Sequence, residues 1–315
     1  MSWDDSGAPP LPPMRTTRVR ARICGCVPQS RCSIPYGQWG PFVPELPDLT
    51  VVAEQLAQRA AGQTVSEASA PSPILLRATP AELQAIVGST LGAARRRGKF
   101  LLLPFESGKR PIRILAANPM LAGRFWLLDT GGERIRARTG LRLRFADGGE
   151  LRYVDREMLG KLYLVAPDGL DAIPGFSEMG PDADDPELTL ERFRERIRRH
   201  PGELKSLLRN AKFVAGIGNA YSDEILWEAR LAPLRRRSSL KPDEIDRLYE
   251  AMRTVLADAT ERLRDLVPPE IQTQHREFLK VHLRGGEPCP RCGRALRQIG
   301  GDEATTFCRT CQPPF

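Results

Sequence analysis

The chain has 315 residues with 47 Lys or Arg against 39 Asp or Glu, which gives a formal net charge of +8 at pH 7. This length suits two or three domains, and the basic balance suits an anionic partner such as nucleic acid without selecting it. No run of 18 apolar residues is present, and the start lacks the basic segment and apolar core of a signal peptide. We therefore expect a cytoplasmic protein with no membrane partner. In that compartment its seven cysteines favour metal ligands or free thiols over disulfides.

The first 43 residues are rich in proline, glycine, arginine and serine and show no helical or strand period. Residues 1–43 are predicted to be a disordered extension. Cys24, Cys26 and Cys32 lie here, and without a fourth ligand nearby they are predicted to be free thiols rather than a second metal site.

The sequence VPELPD at residues 43–48 precedes a predicted helix at 49–61. One interpretation is a helix start, because proline suits the first helical turn and the carboxylates of Glu45 and Asp48 suit its positive end. The other is chemical. A proline with a free amine is a secondary amine, which can attack an aldehyde-like carbon and form an iminium. The six residues alone leave both interpretations open.

Short runs of strand type follow between residues 90 and 165, with a hairpin turn at Asp147-Gly148-Gly149. Many short strands at this spacing predict a β-sandwich, assigned to residues 44–170. The basic turn at residues 95–99, taken alone, is typical of a solvated charge run.

Residues 184–283 are predicted to form a helical domain, with helices at 187–199, 203–210, 219–228 and 241–266. The stretch Gly216-Ile217-Gly218-Asn219 feeds the third of these helices. Its two glycines permit close backbone approach, and a glycine turn before a helix N-terminus is a natural phosphate site.

The C-terminal residues 284–312 contain two CxxC pairs separated by fifteen residues. Two such pairs predict a closed tetrahedral site for one structural Zn2+ in a zinc ribbon. Disulfides or a redox CxxC are the alternatives. The four predicted ligands are Cys289, Cys292, Cys308 and Cys311.

PELPD, then GIGNAYSDEIL, then the four cysteines, in this order, resemble the formamidopyrimidine-DNA glycosylase / endonuclease VIII family. The resemblance spans roughly residues 44 to 312. It implies an α+β multidomain fold: an N-terminal β-sandwich with a leading helix, a helix–two-turn–helix domain and a zinc ribbon. It also implies a monomeric bifunctional DNA glycosylase and abasic-site lyase that removes oxidised bases from damaged double-stranded DNA in base-excision repair.

The same resemblance implies individual roles. Pro44 is the expected nucleophile and Glu45 the general acid/base. Lys99 and Asn219 are expected to hold DNA phosphates. Lys205 either supports the same strand or lies on a solvated helix face. The family fills the gap left by the extruded nucleotide with wedge side chains, which are expected here at Leu121, with Met120 as second choice, and at Leu159. Simple core packing is the alternative for the two leucines.

Some positions depart from the family pattern. Asp48 stands where glutamate is usual, and Glu157 and Glu303 stand where arginines contact DNA. These changes keep open a damage-binding protein on the same fold without catalysis, and more remotely a zinc-ribbon RNA-binding module.

A further departure is that Pro44 follows Val43 through a tertiary amide, whose nitrogen is not a nucleophile. We therefore expect a product that begins at position 43 through a valine-type start codon, or proteolytic processing.

Overall fold

The computed structural model describes residues 43–129, 138–301 and 304–313. The first described element is helix α1 (Leu46–Arg59). It begins three residues before the predicted start because Pro47 lies in its first turn, and the Glu45 backbone N–H donates to the Asp48 carboxylate there.

Two sheets follow α1. One has four strands in the order β1-β8-β9-β7, and the other has the order β2-β10-β6-β5-β3, with β4 also pairing with β5. Eight strands, β3 to β10, lie between residues 90 and 165 as the sequence predicts, whereas β1, β2 and the short helix α2 (Pro80–Gln84) are additions. The strands are β1 (Val65–Ser69), β2 (Leu76–Arg77), β3 (Thr90–Leu91), β4 (Arg95–Arg97), β5 (Phe100–Ser107), β6 (Arg110–Asn118), β7 (Gly123–Leu128), β8 (Thr139–Phe145), β9 (Glu150–Asp155) and β10 (Lys161–Val165).

Apolar side chains on the facing sides of the sheets form one core, which includes Leu103, Phe105 and Leu143. Helix α1 adds Leu49 and Leu56 to this core from outside the sheets. Burial of these side chains from water is the main stabilising contribution to this half of the molecule.

The helical half contains α3 (Leu190–Arg199), α4 (Leu204–Arg209), α5 (Asn219–Glu228) and α6 (Pro242–Leu266). These helices agree with the predicted ones to within three residues at each end. Helix α5 is central: residues 220–227 are all buried, including polar ones. It is therefore a core helix rather than an amphipathic surface helix.

Leu46, in the first turn of α1, packs into the core of the helical half rather than into the sandwich core. Its backbone N–H donates to the Gly216 carbonyl at 3.0 Å. The chain on either side of Glu45 is thus fixed to the turn before α5, which brings the N-terminal motif and the glycine turn into one site.

The C-terminal ribbon consists of β11 (Arg297–Ile299) and β12 (Thr305–Phe307), paired antiparallel. It packs through Leu296 and two of its cysteines on Trp227 and Val281. The fold class predicted from the sequence is confirmed in all three parts. None of the helices in the described ranges combines the length and apolar character needed to cross a bilayer.

Candidate active site and metal centre

The Glu45 side chain is buried, with 2% of its surface exposed, at the N-terminus of α5. Its carboxylate accepts three backbone hydrogen bonds: from Gly218 at 2.5 Å, Ala220 at 2.8 Å and Tyr221 at 3.3 Å. These N–H groups belong to the first turn of a helix, where they lack partners within the helix and carry partial positive charge. The helix therefore fixes the position of the carboxylate.

Gly218 permits this approach. A Cβ at Gly218 would lie 2.5 Å from the Glu45 carboxyl carbon and 2.6 Å from the Lys99 Nζ. The same glycine thus lets the acid that precedes α1 and a lysine from the β4–β5 turn lie close together. Burial lowers the pKa of Lys99, and the nearby charge of Glu45 partly opposes that shift.

Pro44 is buried directly beside Glu45, and Val43 before it is exposed. Pro44, Asp48 and Gln274 line one pocket together with Pro119 and Arg124. The predicted nucleophile and general acid/base are therefore adjacent to a pocket at the junction of the sandwich and the helical half.

Asn219 is the first residue of α5 and lies half-buried beside this site. Its side-chain amide donates to the Ala304 carbonyl at 3.1 Å, while its Oδ1 is buried without a partner. The NH2 group has two N–H donors, so one hydrogen bond to Ala304 leaves the second donor for a phosphate.

Lys205 is buried within the fold. Its side chain is 6% exposed, and its ammonium pairs with Asp223 at 2.7 Å and donates to the Ala304 carbonyl at 3.1 Å. This burial contradicts the alternative of a solvated helix face, whereas the support of a DNA strand stays a prediction. In this structure Lys205 joins α4, α5 and the ribbon.

The wedge positions lie in two loops at the same end of the six-stranded sheet, because Asn118 at the end of β6 pairs with Lys161 at the start of β10. Leu159 is 51% exposed and Met120 is 38% exposed, whereas Leu121 is half-buried. The preference for Leu121 over Met120 is therefore not supported by exposure, because Met120 is the more open side chain. The alternative of simple core packing does not apply to Leu159, because half of its surface is exposed.

The loop before β10 is held by Asp155, whose buried carboxylate accepts the backbone N–H groups of Glu157, Met158 and Gly160 at 2.6 to 3.0 Å. This arrangement positions Leu159 outward. The Glu157 side chain is exposed. Glu303, the other acid that departs from the family pattern, lies outside the described residues, as do Cys24, Cys26 and Cys32.

Three residues that hold the site together were not identified from the sequence. Asp223 receives the Lys205 ammonium and the His282 ring, both buried. Glu224 accepts three backbone N–H groups from residues 280–282, and burial raises its pKa despite these bonds.

Arg276 pairs with Asp48 at 2.7 Å. The DE pair within GIGNAYSDEIL was the available signal for the first two, whereas nothing in the local sequence pointed to Arg276.

The four predicted cysteine ligands come together in the ribbon. Their sulfur atoms all lie within 4.8 Å of one another, with Cys289 and Cys311 at 3.9 Å and Cys292 and Cys308 at 3.5 Å. Four thiolates at about 2.3 Å from one tetrahedral Zn2+ would be roughly 3.8 Å apart, so the donor set fits this ion. Trp227 donates its indole N–H to the Cys289 sulfur at 3.4 Å, which ties the site to α5.

Three family models match the chain: the formamidopyrimidine-DNA glycosylase N-terminal domain at residues 43–162, the formamidopyrimidine-DNA glycosylase H2TH domain at 179–267, and the zinc finger found in FPG and IleRS at 286–314. The last match and the cysteine geometry together identify a site for one structural Zn2+.

Similar proteins include the formamidopyrimidine-DNA glycosylase of Symbiobacterium thermophilum, which is 34% identical over 86% of this chain and 90% of its own length. That of Pelotomaculum thermopropionicum is 32% identical over 86% and 99%. A Lactococcus lactis FPG mutant in complex with Fapy-dG-containing DNA superposes with a TM-score of 0.77 at 26% identity, over 86% of this chain and all of that one. By sequence and by structure, the chain belongs to the formamidopyrimidine-DNA glycosylase family.

Proposed function

We propose that this protein is a bifunctional DNA glycosylase and abasic-site lyase of base-excision repair, with the amine of Pro44 as nucleophile. The observation that carries the proposal is the Glu45 carboxylate, held by three N–H groups at the N-terminus of α5, directly beside Pro44 and close to Lys99. An acid fixed next to a potential secondary amine provides the nucleophile and the proton carrier of iminium chemistry.

In the proposed reaction the Pro44 nitrogen forms a bond to C1′ of the damaged nucleoside. The glycosidic bond breaks, and the base leaves with its bonding electrons and takes up a proton. The nitrogen passes its proton to the Glu45 carboxylate, its lone pair then opens the C1′–O4′ bond, and Glu45 transfers that proton to O4′. Loss of a proton from C2′ of the resulting iminium expels the 3′ phosphate and cuts the strand.

The partner in this proposal is damaged double-stranded DNA, bound by a monomer. The Lactococcus lactis relative has been solved with Fapy-dG-containing DNA and with abasic-site DNA. We assign Lys99 and Asn219 to phosphates near the lesion, since both border the Glu45 site. The exposed Leu159 and Met120 are assigned to the gap left by the extruded nucleotide, because wedge residues must be presented to the base stack.

The mechanism requires a free Pro44 amine. The family model begins at residue 43, and the second relative is matched over 99% of its length by 86% of this chain. Both observations support a reactive form that starts at Pro44, produced by initiation at Val43 and removal of that residue, or by proteolysis.

Borohydride trapping on abasic-site DNA tests the proposal, with the full chain compared against a protein whose first residue is Pro44. Borohydride reduces the iminium and leaves a covalent complex. We expect only the Pro44-start protein to be trapped. Trapping of both forms would indicate another amine, with Lys99 the first to replace.

The amide at Pro44 and the acids Glu157 and Glu303, which stand where the family has arginines, favour a second function, namely non-catalytic binding of damaged DNA. In that case both forms would bind abasic-site duplex and neither would be trapped. That result would overturn the catalytic assignment.

A further inference from the structure

The buried carboxylate of Asp223, in the second turn of α5, joins three other segments of the chain. Its Oδ1 accepts a hydrogen bond from the Lys205 ammonium of α4 at 2.7 Å. Its Oδ2 lies 2.8 Å from Nδ1 of His282, which follows α6, and accepts the backbone N–H of Thr306 in β12 at 3.2 Å. Asp223 itself is 1% exposed, so it acts on other groups of the protein rather than on a substrate.

The Ala304 carbonyl, in the ribbon just before β12, receives two donors from the helical half. One is the Lys205 ammonium and the other is the side-chain amide of Asn219, each at 3.1 Å. A carbonyl oxygen has two lone pairs, so both of its acceptor positions are filled. Asp223 thus acts on Asn219 through two intermediates, the ammonium that it holds and the carbonyl that this ammonium contacts.

This carbonyl sets the orientation of the Asn219 amide. Because a carbonyl can only accept, the NH2 group rather than the amide oxygen must face it. The amide is planar, so a fixed first N–H also fixes the direction of the second. Asn219 and Asp223 are four residues apart on α5, which places them on the same side of the helix, one turn apart. Both therefore lie on the side of α5 that meets the ribbon.

We propose that Asp223 is a positioning residue for DNA binding: through Lys205 and the Ala304 carbonyl, it orients the Asn219 amide toward a DNA phosphate. This inference rests on the proposed function, which assigns Asn219 to a phosphate near the lesion. Desolvation offsets much of the attraction within a buried ion pair, so the main effect of the Asp223–Lys205 pair is on position. The zinc ribbon then contributes to DNA binding by supporting a phosphate ligand that lies on α5.

The substitution Asp223→Asn disturbs this arrangement at a defined place. In either orientation of the new amide, its NH2 group faces a donor: the Lys205 ammonium on one side or the Thr306 N–H on the other. The ammonium also loses the charge that neutralises it. Lys205 and β12 must therefore shift, and the Ala304 carbonyl between them no longer holds the Asn219 amide.

A double-mutant cycle tests whether Asp223 acts through Asn219. Asp223→Asn, Asn219→Ala and the double variant are made in the Pro44-start protein. The dissociation constant is measured for a duplex with an abasic-site analogue that cannot react, so chemistry does not enter the result. The matched control is Asp246→Asn, because Asp246 also binds a cation, Arg194, through both oxygens, but in a partly exposed pair between α3 and α6.

Asn219→Ala is expected to weaken binding roughly 10-fold, because a hydrogen bond to a charged phosphate is lost. Asp223→Asn should weaken it roughly 3- to 10-fold, and the double variant should be no more than about twofold worse than Asn219→Ala alone. The control should leave the affinity unchanged. Losses that multiply to roughly 30- to 100-fold in the double variant would show two independent effects. That result, or an unchanged affinity in either single variant, overturns the proposal.

Bound zinc is measured in every variant and should be retained, because the four cysteines are intact. If Asp223→Asn loses the metal, Asp223→Glu, which keeps the charge, goes through the same cycle and should show a smaller loss with the same lack of additivity. Loss of zinc from both variants would show that Asp223 serves only to fold the ribbon, which overturns the proposal. An unsubstituted Pro44-start protein that binds the duplex but is not trapped by borohydride would instead overturn the proposed catalysis, and the cycle would still be interpretable.

Discussion

Replacing Glu45 by Gln should separate catalysis from DNA binding. The carboxylate accepts hydrogen bonds from Gly218 and Tyr221 through one oxygen and from Ala220 through the other. A glutamine can keep its oxygen toward the first two, but its NH2 group then faces the Ala220 N–H. One charge-assisted hydrogen bond is lost and two donors oppose each other, so the free energy of unfolding should fall by about 1–3 kcal/mol.

The kinetic effect should be much larger. Glutamine cannot deliver a proton to O4′, and removing a general acid typically slows a reaction by about 10²- to 10⁴-fold. Base excision by the Pro44-start variant is measured under single-turnover conditions, and affinity is measured for an abasic-site-analogue duplex that cannot react. We expect excision to fall by at least about 100-fold while the dissociation constant changes by less than about threefold.

The control is Glu54→Gln, the same substitution on the exposed side of α1, where the carboxylate accepts two hydrogen bonds from Arg264. It should leave both measurements unchanged. If Glu45→Gln weakens DNA binding as much as it slows excision, Glu45 serves to shape the site and the assigned role as proton carrier is wrong.

Three further predictions follow from the geometry. Gly218→Ala places a Cβ 2.5 Å from the Glu45 carboxyl carbon, so it should reduce the free energy of unfolding by about 1–3 kcal/mol and abolish excision, whereas Gly301→Ala, with no atom within 4 Å, should not. Because burial lowers the pKa of Lys99 below 10.5, DNA affinity should fall as pH rises through that lowered value, and Lys99→Arg should remove this fall. Chelation of Zn2+ should alter the fluorescence of Trp227, because the Trp227 indole contacts the sulfur of Cys289. It should also weaken DNA binding, because the ribbon loses the metal that stabilises its fold.

Each of these three predictions would be contradicted by a specific result. Normal excision by Gly218→Ala would mean that Glu45 and Lys99 need not lie so close together. An affinity that does not change between pH 7 and 10.5 would exclude the Lys99 ammonium as a phosphate ligand. DNA binding that survives complete metal removal would show that the ribbon has no part in the interface.

Much of the fold could be read from local patterns. Helix α5 was predicted with its observed ends, because a glycine turn marks its start. Eight strands of the sandwich were located as short runs of strand-type residues, but β1 and β2 were missed. Both are edge strands: β1 reads VSEAS, with one β-branched residue, and β2 has only two residues, so neither forms a run of strand-type residues.

The candidate site was predictable to the extent that its residues fall in compact motifs. Lys205 shows the limit. A lysine on a helix reads as a solvated side chain, and only the arrangement of α4, α5 and the ribbon buries it against Asp223. The choice between Leu121 and Met120 likewise depended on which way one turn faces, which the sequence pattern does not record.

The sequence by itself determined the motifs whose chemistry is local: the Pro44–Glu45 pair, the glycine turn and the four cysteines. Their spacing along the chain is enough to indicate a nucleophile, a helix N-terminus and a metal site. Only the tertiary structure decided that Glu45 reaches Gly218, 173 residues away, and that Arg276 reaches Asp48 over 228 residues. Contacts at such separations depend on how α1, the sandwich and α5 pack together, and that packing is set by the whole core rather than by any single segment.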